Sequence, residues 1–326
     1  MRRILVTGAA GFVGRHILAA LASGAGPSDR IVGIGRGRFD GPPEGAAFRQ
    51  IDLLDAAAVS ACVAEYRPTD VLHLAGMASV QQSADAPTEL WRANVVGLLN
   101  LADAVARFAA GSNLVFASSG EVYGRAFLTG GAVGEDVEPM PLGNYARSKW
   151  FGEQILLDVL PKAGVRLVIL RLFNHIGPGQ DERFVVPSFA GQIARIEAGL
   201  APPMLEVGNL DARRDFLPIG DVVRAYVDLL DNVDGIPSGS VFNVCSGLPR
   251  SIGSILSDLT GLSRVPFEVR VAQDRMRPSE IAIAAGDASR LKAAMAWEPT
   301  QDWHAALAEI LDEARAQVSY RTGPTA

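Results

Sequence analysis

The chain has 326 residues, 48% of them hydrophobic, and 30 Lys and Arg against 36 Asp and Glu give a formal net charge of -6. That length allows one large domain or two modest ones around a substantial apolar core. The acidic balance, with a pI near 5.3, excludes wholesale binding to nucleic acid or an anionic membrane, although a local basic pocket can still hold a phosphorylated ligand. No apolar run approaches the ~20 residues of a membrane span. Glycines at 8, 11 and 14 break up the apolar stretch after Met1-Arg2-Arg3, so this start is not read as a signal peptide and a cytoplasmic protein is expected. Cys62 and Cys245 lack CxxC spacing and are read as small buried hydrophobes. His16, His73, His175 and His304 show no metal-ligand spacing, and no metal is expected.

In chain order, short apolar runs alternate with longer amphipathic ones, the pattern of strands and crossover helices in a parallel sheet. The first strand, 4–7, runs into Gly8-Ala-Ala-Gly11-Phe12-Val13-Gly14 and then a helix over 12–23. Gly8 permits a tight turn, Gly11 lets backbone approach a pyrophosphate, and Gly14 lets helix and strand pack closely. The helix start, with Phe12 and Val13 in its first turn, offers free N–H groups and a positive dipole end to phosphates. This is the signature of a dinucleotide turn.

The second strand, 31–34, ends in Gly33-Ile34-Gly35-Arg36-Gly37-Arg38, where an acidic residue would bond the ribose 2′-hydroxyl of NAD. With no carboxylate and two arginines, a 2′-phosphate can be paired by Arg36, so NADP(H) is expected in preference to NAD(H). The alternative is that both arginines are solvated loop charges. The third strand, 48–51, is followed by Asp52 and Leu53, placed to meet the adenine ring, though Asp52 can equally cap a helix over 56–66. A fourth strand, 71–74, a helix over 89–108 and a fifth strand, 114–117, lead to Ser118-Ser119. A helix over 145–160 then opens with Tyr145-Ala-Arg-Ser-Lys149, which sets a phenol and an ammonium on one face. A neighbouring cation lowers a phenol's pKa, which suits Tyr145 to proton transfer near neutral pH. A sixth strand, 167–171, completes an α/β doubly wound parallel sheet of the Rossmann type.

After about residue 172 the rhythm changes, with frequent Pro and Gly and charged clusters over 211–215 and 275–280 expected in loops. The amphipathic stretch 219–230 and the strand-like 240–244 are regular enough to return to the first unit. Residues 1–172 and about 219–245 are therefore expected to form the dinucleotide-binding domain. Residues 173–218 and about 246–320 would form a second, smaller α/β substrate domain, with substrate in the cleft between.

Several pieces together resemble the extended short-chain dehydrogenase/reductase family of nucleotide-sugar epimerases, dehydratases and reductases. They are Thr7-Gly8-x-x-Gly11-x-x-Gly14, His73-Leu74-Ala75-Gly76, Asn94, Ser119-Gly120-Glu121-Val122-Tyr123-Gly124 and Tyr145-x-x-x-Lys149. The resemblance implies that Leu74, Ala75 and Gly76 line the cofactor. By the same resemblance Ser119 bonds the sugar oxygen, Tyr145 exchanges its proton and, with Lys149, lines the cofactor, and Lys149 binds the nicotinamide ribose while tuning Tyr145. Asn94 is then either a helix-bend or proton-relay residue, or a structural amide. Further on, Arg171-Leu-Phe-Asn174-His-Ile-Gly-Pro-Gly-Gln180, Phe184-Val185-Val186, the stretch from Gly208-Asn209 to Arg214-Asp215-Phe216, and Arg277-Pro-Ser-Glu280 resemble GDP-mannose 4,6-dehydratases and GDP-6-deoxy-4-keto-mannose reductases.

A GDP-sugar substrate is thus implied, with Asn174, Val185, Asn209, Arg214, Arg277 and Glu280 as its binding residues. Arg214 and Arg277 can grip a diphosphate as forked donors, and Glu280 can accept from ribose hydroxyls or a guanine edge. In the dehydratases the stretch at 119–121 resembles Thr-Ser-Glu, whereas Ser119-Gly120-Glu121 retains only the carboxylate. The expected reaction is reduction of the C4 ketone of GDP-4-keto-6-deoxy-D-mannose to GDP-D-rhamnose, with Tyr145 as proton donor. The alternatives are a 4,6-dehydratase with Glu121 as base, another nucleotide-sugar epimerase, or a non-catalytic NADPH-sensing protein. The resemblance also implies a homodimer through the helices at 89–108 and 145–160.

Overall fold

The computed structural model describes residues 1–39, 41–78, 85–276 and 281–322. Its strands are β1 (Arg3–Thr7), β2 (Arg30–Gly35), β3 (Ala46–Gln50), β4 (Asp70–His73), β5 (Asn113–Ser119), β6 (Arg166–Leu172), β7 (Asn174–Ile176), β8 (Met204–Val207), β9 (Arg213–Pro218), β10 (Ser240–Val244), β11 (Pro249–Ser251), β12 (Glu268–Val271) and β13 (Ile283–Ala284). The helices used below are α1 (Phe12–Gly24), α2 (Ala56–Tyr66), α3 (Pro87–Trp91), α4 (Gly97–Phe108), α5 (Gly143–Val159), α6 (Val185–Glu197), α7 (Ile219–Asn232), α8 (Ile252–Gly261), α9 (Ser289–Met295) and α10 (Trp303–Thr322).

The main sheet runs β10-β6-β5-β4-β1-β2-β3, with every neighbouring pair parallel. Its inner strands are buried on both faces, so they read as continuous apolar runs rather than alternating ones, while β3 at the edge is half exposed. Successive residues still take opposite sides. Ile4 and Val6 join the core beneath α1 and α7, while Leu5 joins the one beneath α2, α4 and α5. The order of winding reverses between β1 and β4, and ligands of such sheets bind beyond the carboxyl ends of the strands at that reversal. Register places Thr7 beside both Ile34 and His73, and Ser119 beside Leu172. The predicted dinucleotide turn, the Leu74–Gly76 segment and Ser119 therefore emerge along one edge.

The remaining strands form small sheets. β9 pairs with β7 and β13 in parallel and with β11 antiparallel, and β8 pairs with β12. A separate apolar core joins α6, α8 and α10 through residues such as Phe189, Ile193, Leu256 and Leu307. β10 and α7 return to the main sheet and its first core, as do Leu291 of α9 and Trp297, which fall in the stretch assigned above to the second unit.

Two expectations need correction. Residues 211–215 are not all loop, because Arg213, Arg214 and Asp215 begin β9. The Asp215 carboxylate is buried and accepts from the Ser246 backbone N–H and hydroxyl, each at 2.7 Å, and from the Gly247 N–H at 2.8 Å. The helix predicted over 89–108 is also irregular: a π-helical turn, Arg92–Val96, separates α3 from α4. Among the described residues no helix is long and apolar enough to cross a membrane.

Candidate active site

The glycine turn is held by close backbone approaches. Gly8 has φ +71°, and a Cβ there would lie 2.7 Å from the Ala75 nitrogen. At Gly14 a Cβ would lie 2.7 Å from the Ala9 Cα. Gly11 is the N-cap of α1 and has no side chain to bond the first-turn donors, so the N–H groups of Phe12, Val13 and Gly14 lack the partners that a helix supplies only further along. An open helix start beside a side-chain-free cradle fits the pyrophosphate of a dinucleotide. The Thr7 hydroxyl accepts from the Ala75 N–H at 3.2 Å and bonds His73 Nδ1 at 2.8 Å, tying the segment after β4 to this turn.

Arg36 and Arg38 are exposed just beyond β2. Asp52 accepts from the Leu54 N–H at 2.9 Å. The cap of α2 is instead Asp55, which accepts from the Ala58 N–H at 3.0 Å, so the capping alternative considered for Asp52 falls to its neighbour. Leu53 is buried, and its carbonyl accepts from Asn100 at 2.8 Å.

The residues predicted to react come from β5 and α5. Ser119 ends β5 and its Oγ accepts from the Glu121 N–H at 3.2 Å, which starts a short turn over Gly120–Tyr123. On α5, Tyr145, Lys149, Gly152 and Glu153 share one face. A Cβ on Gly152 would lie 3.0 Å from the Phe116 ring, which shows how closely that face lies on the sheet. Lys149 Nζ donates to the Ala117 carbonyl at 2.8 Å and lies 5.2 Å from the Phe116 ring centre. A Cβ at Gly76 would be 2.9 Å from Asn94 Oδ1 and 3.6 Å from Lys149 Nζ, so the segment after β4 reaches the lysine. Asn94, in the π-turn, accepts from the Met77 N–H at 2.7 Å and donates to Ser148 Oγ at 2.9 Å. It is thus both at a helix bend and a clamp between two segments.

Burial dominates the electrostatics. Tyr145 is pushed up to about 12 by burial, with the Ser119 hydroxyl pulling the other way and the Glu121 charge adding to the rise. The lowered phenol expected from the Tyr145 and Lys149 spacing is therefore not found. Lys149 is itself brought down to about 8 by burial, against the Glu153 charge, and its ammonium is engaged at Ala117. His73 falls to about 3 through burial and the Lys149 charge, so its imidazole is neutral. Burial also raises the Glu121 carboxyl, opposed by Arg214.

Of the predicted substrate residues, Arg214 on β9 is brought to Glu121. Asn174 is exposed at the start of β7 and lies opposite Phe216, two residues from Arg214. Val185 is the half-buried first residue of α6. Asn209 is exposed between β8 and β9, where its side chain accepts from the Asp211 N–H at 2.9 Å. Arg277 and Glu280 lie outside the described residues. A cavity of about 420 Å³ lies elsewhere, lined by residues that include Cys245, Ser246, Trp297 and Pro299 and by none of the predicted site residues.

Sequence reasoning missed Phe173. A Cβ on Gly120 would lie 2.9 Å from its ring and one on Gly286 2.6 Å away, and the ring also packs against Tyr123 and Phe127. It missed the buried group of Ser118, Glu153 and Arg171 as well, and the stack of Phe12 on His175 at 5.9 Å. The helical spacing of Tyr145, Lys149 and Glu153 was the one signal that pointed to Glu153.

Comparison with known proteins agrees with this architecture. Residues 4–245 match the NAD dependent epimerase/dehydratase family. GDP-6-deoxy-D-mannose reductase from Pseudomonas aeruginosa is 33% identical over 97% of this chain and 98% of its own length. UDP-glucose 4-epimerase from Azospirillum brasilense is 28% identical over 92% of this chain and 88% of its own. Among solved structures, RMD from Pseudomonas aeruginosa complexed with NADPH has a TM-score of 0.85 at 33% identity, covering 97% of this chain and 100% of that one. UDP-glucose 4-epimerase from Thermus thermophilus in complex with NAD has a TM-score of 0.83 at 30% identity, covering 96% and 99%. The chain therefore belongs to the NAD dependent epimerase/dehydratase family of enzymes.

Proposed function

We propose that the chain is a nucleotide-sugar reductase that converts the C4 ketone of GDP-4-keto-6-deoxy-D-mannose to the alcohol of GDP-D-rhamnose. Bound NAD(P)H supplies the hydride that C4 receives. Gly8, Gly11, Phe12, Val13 and Gly14 hold the pyrophosphate, Asp52 and Leu53 the adenine end, and Leu74, Ala75, Gly76 and Lys149 the nicotinamide end. Arg36 pairs a 2′-phosphate, so NADPH is preferred. Support for that preference comes from the exposed arginines after β2 and from the NADPH-complexed neighbour, against another neighbour complexed with NAD.

Tyr145 carries the proton. A phenol raised to about 12 is protonated throughout the neutral range, the state from which it can donate to the C4 oxygen as charge develops there. Ser119 donates to the same oxygen and stabilises it. Asn174, Val185, Asn209, Arg214, Arg277 and Glu280 bind the nucleotide diphosphate and sugar.

The observation that carries reductase over dehydratase is the contact between Gly120 and Phe173. The Thr-Ser-Glu stretch of the dehydratases would put a Cβ at residue 120, 2.9 Å from a ring packed on its other sides by Tyr123 and Phe127. Gly120 thus lacks the hydroxyl that the dehydratase stretch carries beside its glutamate, and Glu121 serves here to position Arg214 and the substrate. Epimerisation is the second reading, favoured by the 4-epimerase relatives. The test is NADPH absorbance with GDP-4-keto-6-deoxy-mannose, which falls as one alcohol forms per NADPH consumed. A 4-keto product from GDP-mannose, or interconversion of UDP-glucose and its C4 epimer without net cofactor use, would overturn the proposal.

We further propose a homodimer. Val96, Leu99, Phe108 and Phe151, on α5 and the segment from the π-turn through α4, are 44%, 42%, 40% and 52% exposed. Trp91 packs against Phe151 at 5.7 Å, which extends the apolar face.

A further inference from the structure

A buried charged group lies beneath the reacting residues and touches neither end of the proposed reaction. Glu153 is one helical turn beyond Lys149 on the same face of α5 and has no exposed surface, while Arg171 of β6 is 4% exposed. Arg171 grips the carboxylate from Nε to Oε1 at 3.1 Å and from Nη2 to Oε2 at 2.8 Å. The Ser118 hydroxyl also donates to Oε1. The guanidinium is fixed 4.9 Å from the Tyr123 ring centre and 5.8 Å from that of Trp150, and Tyr123 donates to Asn243 at 2.8 Å. Such a buried pair is weak evidence for stability, since apolar residues of similar volume often serve as well. Its position beside a buried lysine gives it another use.

The groups around Lys149 come from several elements. Tyr145 and Glu153 share its helix. β5 contributes the Ala117 carbonyl and the Phe116 ring, β4 the neutral His73, and the segment after β4 Gly76 beside Asn94. Arg171 of β6 stands behind Glu153. Glu153 is the carboxylate in this set.

We infer that Glu153 is a positioning residue for Lys149: clamped by Arg171 and Ser118, its carboxylate holds the lysine as an ammonium inside a buried site, and Arg171 limits how strongly it does so. Burial works against the ammonium and Glu153 works for it. The charge on Lys149 is thereby set by two residues whose bonds are to each other and to Ser118. The inference rests on Lys149 acting in the cofactor site, but its test needs no turnover.

The chain has three lysines, Lys149, Lys162 and Lys292, so protein labelled with ¹³C at lysine Cε gives three NMR resonances, and Lys149→Met identifies the one of interest. In the wild type the Lys149 resonance is expected to titrate at about 8, because burial lowers the ammonium's pKa and Glu153 opposes it. Glu153→Gln is expected to lower that midpoint by about 1 to 3 pH units, as loss of a close counter-charge does. Adding Arg171→Met to it removes the opposing cation and brings the midpoint part of the way back. Arg171→Met alone raises it. NADPH affinity measured by fluorescence on the same variants should shift its pH dependence with the Lys149 midpoint, whereas a merely structural role would change affinity by one factor at every pH. An unchanged midpoint in Glu153→Gln, or a double variant that titrates as low as the single, overturns the inference. If Glu153→Gln does not fold, Arg171→Met carries the test alone, and a midpoint that fails to rise overturns it. Absence of reductase activity in a wild type that titrates as expected counts against the proposed reaction and not against this inference.

Discussion

Burial governs Tyr145, with the Ser119 hydroxyl opposing it and the Glu121 charge adding to it, and the consequence is a phenol that keeps its proton through the neutral range. Tyr145→Phe should therefore lower kcat by about 10²- to 10⁴-fold, the usual worth of a positioned proton donor, with NADPH affinity unchanged in a fluorescence titration. A loss of affinity equal to the loss of rate would make Tyr145 a binding residue instead. Arg36 and Arg38, exposed at the end of β2, should matter only to a 2′-phosphate. Replacing both by Ala is expected to weaken NADPH by about 10- to 100-fold, the scale of a hydrogen bond to a charged group, and to leave NADH binding as it was. Equal effects on both cofactors would return them to the status of solvated charges. Ser119, Tyr145 and Lys149 were legible because residue type, spacing and place after a strand all carry information within one short segment. Phe173 against Gly120, and Arg171 against Glu153, were not, because contacts between distant segments leave no local period in the sequence.

At the scale of elements, the main sheet was legible for a physical reason. Strands covered on both faces need uninterrupted apolar runs, and those runs, bounded by Gly and charged residues, announce themselves. The strands outside the main sheet are mostly shorter and more charged. β13 has two residues, and β9 opens with Arg213, Arg214 and Asp215, so hydrophobic pattern gave no warning that Asp215 would be buried and bonded by backbone. Gly120→Ser forces a Cβ against the Phe173 ring and should destabilise by about 1–3 kcal/mol, as overpacking does, seen as a lower midpoint in thermal or urea unfolding. Adding Phe173→Leu should recover part of that loss. A Gly120→Ser chain as stable as the wild type would remove the steric argument against a dehydratase-type turn.

For the whole molecule, the buried Lys149 sets a trade between stability and function. Its pKa falls from the ordinary 10.5 to about 8 in the folded chain. Between those values the unfolded chain holds the extra proton, so stability rises with pH across the window. Keeping the ammonium buried below pH about 8 costs about 3 kcal/mol by that linkage, partly offset by the bond to Ala117. Lys149→Met should thus be inactive yet melt about 2–4 °C higher at pH 7, an advantage lost by about pH 10.5. A lower melting temperature at pH 7 would contradict the burial cost. Association is the second property at this scale. The exposed Phe151 and its apolar neighbours on α4 and α5 predict a dimer by light scattering at micromolar concentration and a monomer for Phe151→Glu. A monomeric wild type would refute that surface.

Hydride delivery to C4 with a proton from Tyr145 leaves an isotopic trace in the product. With NADPH deuterated at the transferable position of the nicotinamide and GDP-4-keto-6-deoxy-mannose, NMR of the product should show one deuterium at C4 of the sugar per NADPH oxidised. Tyr145→Phe should give almost none. Unchanged NADPH, or a sugar product with no deuterium at C4, would rule out that hydride transfer.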